Sequence, residues 1–277
     1  MNRDAFRSLP FYLGGFMGPF GTVVILPMFP ELRDAFDASN KAVSWGITAY
    51  MLPMAAFLLV SGTLGERFGR VRVLRLSFAL YGLASIVTAV APTLPLFVLG
   101  RGLQGACNAF FTPLLLAALT DLTSPDQVGR RVGVYSSFQA AGGAIAPFVG
   151  GLAAAVEWRA AFFGTAALSL GLAVALPKTA DGEATRSPAS LRVILEPRVL
   201  LIGLAALFAA AGPYSANLLV GLRARDLLDL SPTAAGLLIL AGSSAGLVTA
   251  PHWGRLMDRA GARATSLGDV PELTETL

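Results

Sequence analysis

The sequence predicts an all-α polytopic membrane protein, and three observations carry that prediction. The first is composition: 55% of the 277 residues are hydrophobic and 14% are charged, with mean hydropathy +0.65, where soluble domains average roughly 25% charged. The second is that the charge is missing in blocks. Eight apolar runs can be marked, at 11–29, 42–62, 76–91, 94–120, 132–155, 161–176, 199–219 and 233–253, and only the fourth holds a charge, Arg101. A spanning helix needs about 20 mostly apolar residues to cross roughly 30 Å of hydrocarbon, which these runs supply. The third is the alternation of basic and less basic connecting segments, which is how a multi-pass chain records its orientation.

Taken in order, the runs are punctuated as helices should be. Run one follows Arg3 and Arg7 and is too long for a signal-peptide core, so it reads as an uncleaved first helix. Pro92 and Pro95 bracket a tight turn between runs three and four, and Ser231-Pro232 places an N-cap and a first-turn proline before run eight. Residues 178–197 form the long polar stretch between runs six and seven, the natural linker between 1–177 and 198–263, and a polar tail occupies 264–277. With the N-terminus inside, the inner segments take fifteen basic residues, among them Arg67, Arg70, Arg72, Arg75, Arg130 and Arg131. The outer segments take Arg33, Lys41, Arg159, Arg223 and Arg225. That split predicts both termini on the cytoplasmic face of the inner or plasma membrane.

An internal repeat supports the two-part division. Gly62, Leu64, Glu66, Arg67 and Gly69 recur at one constant offset as Gly254, Leu256, Asp258, Arg259 and Gly261, after runs two and eight respectively. Two halves in parallel orientation produce such spacing.

Several function classes drop out. The basic residues sit in short connecting segments, so the net charge of +4 and pI of about 9.6 describe topology, and no nucleic-acid partner is expected. One histidine, His252, and one cysteine, Cys107, supply no metal set, disulfide framework or triad, so neither cofactor nor enzyme chemistry is expected. Cys107 reads as a packing residue, His252 as interfacial, and Trp45 and Trp253 as belt anchors.

The segment Gly62-Thr-Leu-Gly65-Glu66-Arg67-Phe-Gly69-Arg70-Val-Arg72 resembles the signature that follows helix 2 in the major facilitator superfamily, with Glu66 where the family usually has Asp. In that family it is a cytoplasmic latch between halves. Physically, Gly65 and Gly69 permit a tight turn and close helix approach, Glu66 can cap a helix N-terminus, and the arginines can pair with acids or lipid phosphates. Arg101-Gly-Leu-Gln104-Gly105 resembles the family's helix 4 motif, in which the arginine is an electrostatic element of proton or substrate coupling. Positions 101, 104 and 105 share one helical face. The other reading of Arg101 is a side chain snorkelling to the outer interface.

Gly133, Gly142, Ala146, Pro147, Gly150 and Gly151 resemble the helix 5 signature of drug:proton antiporters. Residues 142, 146 and 150 also make a small-residue packing face, with or without that role. Trp158-Arg159 with Phe162-Phe163 resembles the family's outer start of helix 6. Run one carries no acid, and Gly21 stands about where some relatives have aspartate, so proton coupling has no carrier evident in the first half.

The resemblance covers most of 11–263 and implies the major facilitator fold: a complete N-terminal six-helix bundle plus the first two helices of the second bundle, C-terminally truncated near Leu267. It implies a small-molecule substrate, protons as candidate coupling ion, the bilayer as surroundings, and efflux of drug-like molecules by alternating access. The contrasting expectation is a non-transporting remnant. Substrate contacts are expected at Asn108, Gln139, Tyr214 and Asn217, each of which serves equally for helix–helix hydrogen bonding, with Gly212-Pro213 breaking helix 7.

Overall fold

The computed structural model describes residues 3–177, 201 and 216–242. Among them every regular element is helical: α1 (Arg3–Val23), α2 (Phe29–Ala35), α3 (Asn40–Phe68), α4 (Arg70–Ala89), α5 (Leu94–Asn108), α6 (Phe111–Asp121), α7 (Val128–Val156) and α8 (Arg159–Ala175). Two further helices follow at 216–226 and Pro232–Gly242. The linker, Tyr214, the Gly212-Pro213 step, the second copy of the repeat, His252, Trp253 and the polar tail lie outside the described residues.

Among the described residues five stretches are long and apolar enough to cross a membrane: Ser8–Ala35, Asn40–Phe68, Arg70–Ala89, Leu94–Asp121 and Pro125–Val156. Arg159–Ala175, with 17 residues, is a shorter apolar helix of about 26 Å at 1.5 Å per residue. Large apolar side chains stay on the outside, including Leu52, Leu59, Val156 and Val174 at 70, 56, 84 and 78% exposure. In water such a surface would aggregate; against acyl chains it is solvated. The chain is a multi-pass membrane protein.

Helix limits follow local chemistry. Ser39 caps α3, its Oγ accepting from the Ala42 amide at 3.2 Å, and Ser231 caps the Pro232–Gly242 helix in the same way through the Ala234 amide. The turn between α4 and α5 runs from Val90 to Thr93, so Pro92 lies within it and Pro95 falls in the first turn of α5.

Three expected runs are redrawn. Run one ends as a regular helix at Val23, passes through a buried 3-10 turn at Leu26–Met28 and resumes as α2. Pro27 and Pro30 lack the amides that would continue the ladder. Run four breaks at Ala109-Phe110, because Pro113 cannot donate to the Ala109 carbonyl. The segment after run two is helical almost throughout: α3 extends to Phe68, and a single residue, Gly69, at φ 89°, makes the whole turn into α4. That backbone is strained for any residue with a Cβ.

The bundle pairs α1 with α7, α3 with α5, and α4 with both α5 and α8, while α6 leans on α1 and α4. Two cores result. One, nearer the basic end, gathers Phe78, Tyr81, Phe111, Leu114, Leu115 and Tyr135, with the Phe78 and Phe111 rings stacked at 4.0 Å. Cys107 is partly buried against it, as a packing residue. The other gathers Ile25, Phe29, Phe97, Trp158 and Phe162, joined by edge-on contacts of Phe97 with Trp158 and Phe162. Leu218 and Leu222 of the 216–226 helix pack on this second core.

Candidate functional site

The centre of the bundle holds a buried cation. Arg101 is 1% exposed, so its side chain turns inward and does not snorkel. Its Nη1 donates to the Gln104 Oε1 at 2.8 Å and the Gly21 carbonyl at 3.1 Å, and its Nε to the Gly46 carbonyl at 3.4 Å. The guanidinium also lies 4.2 Å over the Tyr50 ring. Among the described residues no carboxylate forms an ion pair with it. The charge is thus held by backbone dipoles of α1 and α3 and by a π face. Among the described residues Nη2 is buried without an acceptor, and the Tyr50 and Tyr81 hydroxyls are buried together beside Gly21.

Helical spacing builds this cluster. Arg101, Gln104, Gly105 and Asn108 lie at i, i+3, i+4 and i+7 of α5, and all are buried. Gln104 extends the network by donating to Ser85 Oγ at 2.7 Å, which in turn donates to the Tyr81 carbonyl. Gly105 is the contact point with α3: a Cβ there would run into the Tyr50 carbonyl. Tyr50, Tyr81, Ser85, Gly21 and Gly46 were not among the sequence-predicted site residues. Buried aromatic and hydroxyl residues within apolar runs have no distinguishing signal until the helices are packed.

A second polar group lies toward α6 and α7. Asn108 Nδ2 donates to the Gly18 carbonyl at 3.3 Å, and among the described residues its Oδ1 has no partner. Gln139 Nε2 donates to Thr112 Oγ1 at 3.0 Å, and the position of a Gly18 Cβ would sit 3.3 Å from Asn108 Oδ1 and 3.9 Å from Thr112 Oγ1. Tyr12 of α1 and Phe138 of α7 stack on each other, ring centres 5.6 Å apart. Asn108 and Gln139 are therefore neighbours around Thr112 and the Gly18 region of α1. Asn217 is half-buried in the 216–226 helix and is not hydrogen-bonded to either.

Helix α7 is gripped on two faces. Gly142 and Gly150 face α1 so closely that a Cβ would strike the Phe16 and Val24 carbonyls, and Ala146 between them is fully buried. Gly151 abuts the Pro232 carbonyl, and Gly236 abuts that of Pro147, so the other face meets the Pro232–Gly242 helix. Gly133 lies in open space.

At the basic end, Arg70 pairs with Asp121 and lies 3.9 Å from Glu66. Glu66 sits in the last turn of α3 and faces α4 through Arg70, so it caps no helix N-terminus. Gly65 receives the Leu114 side chain, whereas Gly62 has nothing near it, and Arg67 stacks over Phe68 at 5.3 Å. At the opposite end Glu31 of α2 and Arg225 of the 216–226 helix form an ion pair at 2.6 Å. Asp121 and Arg225 were missed as partners because each lies far along the chain from the residue it binds.

Comparison with known proteins agrees with this architecture. A family model described as Major Facilitator Superfamily matches residues 11–268. Puromycin resistance protein pur8 of Streptomyces alboniger is 33% identical over 152 residues, 54% of this chain and 30% of that protein. Drug efflux pump JefA of Mycobacterium tuberculosis is 29% identical over 206 residues, 72% of this chain and 41% of the pump. The chain thus spans less than half the length of these curated relatives. Among solved structures, a bacterial homologue of the human lysosomal transporter Spinster, inward-facing and occupied, superposes with TM-score 0.74 at 17% identity, covering 95% of this chain and 63% of that one. At that identity the likeness is one of fold.

Proposed function

The chain belongs to the major facilitator superfamily of transporters, and from that premise we propose that it exports small, drug-like organic molecules by proton antiport, its two halves rocking about a central site. The observation that carries the reading is the grip on α7. The helix whose residues resemble the antiporter signature contacts α1 through Gly142 and Gly150 and the Pro232–Gly242 helix through Pro147 and Gly151. A helix shared between the two halves is where rocking would be controlled. The named activities of pur8 and JefA point the same way.

In this proposal 1–177 is the first bundle, 178–197 a cytoplasmic linker and 198–263 the start of the second bundle, with both termini cytoplasmic. Substrate lies against Asn108, Gln139, Tyr214 and Asn217. Arg101 holds α1, α3 and α5 in register through Gly21, Gly46 and Gln104, and its one unpartnered nitrogen, Nη2, makes that hold sensitive to charge arriving nearby. The segment around Glu66, Arg67 and Arg70 latches the basic end. Dye retention in a drug-susceptible host tests the proposal: cells making the chain should retain less ethidium than cells making Arg101→Ala. Equal retention in both and in empty cells would refute it.

A further inference from the structure

On the outer surface of the bundle, away from the central cluster, a cleft of about 480 Å³ opens between α4 and α8, lined by Val71, Arg72, Arg75, Leu76, Ala79, Ala173 and Val174. Its origin is in the packing. Gly82 lets α4 approach Leu170 and the Ala166 carbonyl closely, and Ser169 Oγ donates to the Phe78 carbonyl at 2.7 Å. One to two turns nearer the basic end, the small side chains of Ala79 and Ala173 leave the cleft. Arg75 crosses it, its Nε donating to the Ala173 carbonyl at 2.9 Å, and Arg72 stands exposed beside it.

Two features define what fits. Among the described residues no carboxylate pairs with Arg72 or Arg75, since Glu66 and Asp121 at the same end are taken by Arg70. The cleft also continues into an apolar stripe, Leu76, Leu80 and Leu83, exposed at 60, 47 and 52% and spaced at i, i+4 and i+7. A ligand with an anionic head and a long apolar tail matches both. We propose that this cleft binds an anionic phospholipid, its phosphodiester held by Arg72 and Arg75 and one acyl chain lying over Ala79 and along the leucine stripe. Basic clefts between membrane helices near the interface favour such headgroups.

Native mass spectrometry of the full chain in detergent, titrated with dioleoyl phosphatidylglycerol or dioleoyl phosphatidylcholine, tests this. The phosphatidylglycerol is expected to be retained at least about tenfold more strongly. Arg72→Gln should weaken it roughly fivefold, and Arg72→Gln with Arg75→Gln roughly 30-fold. Arg130→Gln, an exposed arginine at the same end, should change it less than about twofold. Should the double variant fail to fold, Ala79→Trp fills the cleft floor without removing charge and should weaken retention as strongly as Arg72→Gln. Equal retention of the two lipids, an equal loss from Arg130→Gln, or unaltered retention in Ala79→Trp would overturn the proposal. So would displacement of the lipid by equimolar inorganic phosphate, which would make the cleft a site for the free anion.

Discussion

Glu31→Gln keeps the side chain's shape and removes its charge, and it should loosen the end of the bundle opposite the arginine cleft. Glu31 and Arg225 meet at 2.6 Å, with side chains only 19 and 15% exposed, on α2 and on the 216–226 helix. This is a charge-assisted hydrogen bond largely shielded from water, worth about 1.5–3 kcal/mol. Under the rocking proposal it exists only while this end is closed, so its loss should shift the closed-to-open ratio by roughly 10- to 150-fold. The orphaned Glu31 Oε2 and Arg225 Nη1 show the pair to be imperfectly satisfied, which favours the lower part of that range. Leu222→Cys, packed against the core at this end, reports on opening once Cys107 is replaced by Ala. A membrane-impermeant maleimide should label it about tenfold faster in Glu31→Gln, and Glu31→Arg with Arg225→Glu should restore the slow rate. A change below twofold in the single variant would show that the pair does not hold this end shut.

Other expectations follow from single positions. Arg101→Ala strips the donor from the Gly21 and Gly46 carbonyls and Gln104, at about 1–3 kcal/mol per buried acceptor left unmade, so both the melting temperature in detergent and efflux should fall. Arg101→Lys should recover only part of each, because an ammonium cannot reproduce the fork. Gly105→Ala drives a Cβ against the Tyr50 carbonyl and should cost about 1–3 kcal/mol, whereas Gly62→Ala, with open space around it, should stay within about 0.5 kcal/mol; chemical denaturation in detergent separates the two. Gly69→Ala puts a side chain at φ 89° and should destabilise by about 1–2 kcal/mol in the same measurement. Asp121→Asn breaks a half-exposed pair with Arg70 and should cost under about 1 kcal/mol.

The spans were legible because hydrocarbon tolerates so little charge: an uncharged run of about 20 residues leaves few alternatives. The breaks within them were also written in the chain, at Pro27, Pro30 and Pro113, but an apolar run reads as continuous unless each proline is asked which carbonyl it deprives. The Gly62–Arg72 signature was recognisable as a motif and misjudged as a turn, since eleven residues with three glycines and a charge cluster look irregular. In the structure Gly69 does the turning and Gly65 receives Leu114, while Gly62 lies in the open. The site was legible where periodicity governs it, as in the shared face of Arg101, Gln104 and Gly105. It was not legible where partners come from other helices. Arg101 is held largely by the carbonyls of Gly21 and Gly46, and a backbone carbonyl leaves no mark in a sequence. Glu31 and Arg225 lie 194 residues apart, and nothing local could join them.

Export driven by a proton gradient is measured most directly in everted membrane vesicles that contain this chain and have an acidified lumen, following ethidium fluorescence. Vesicles with the native sequence should accumulate the dye until a protonophore collapses the gradient, and vesicles carrying Arg101→Ala at matched protein levels should not. Accumulation indistinguishable from that of vesicles lacking the protein would contradict the account.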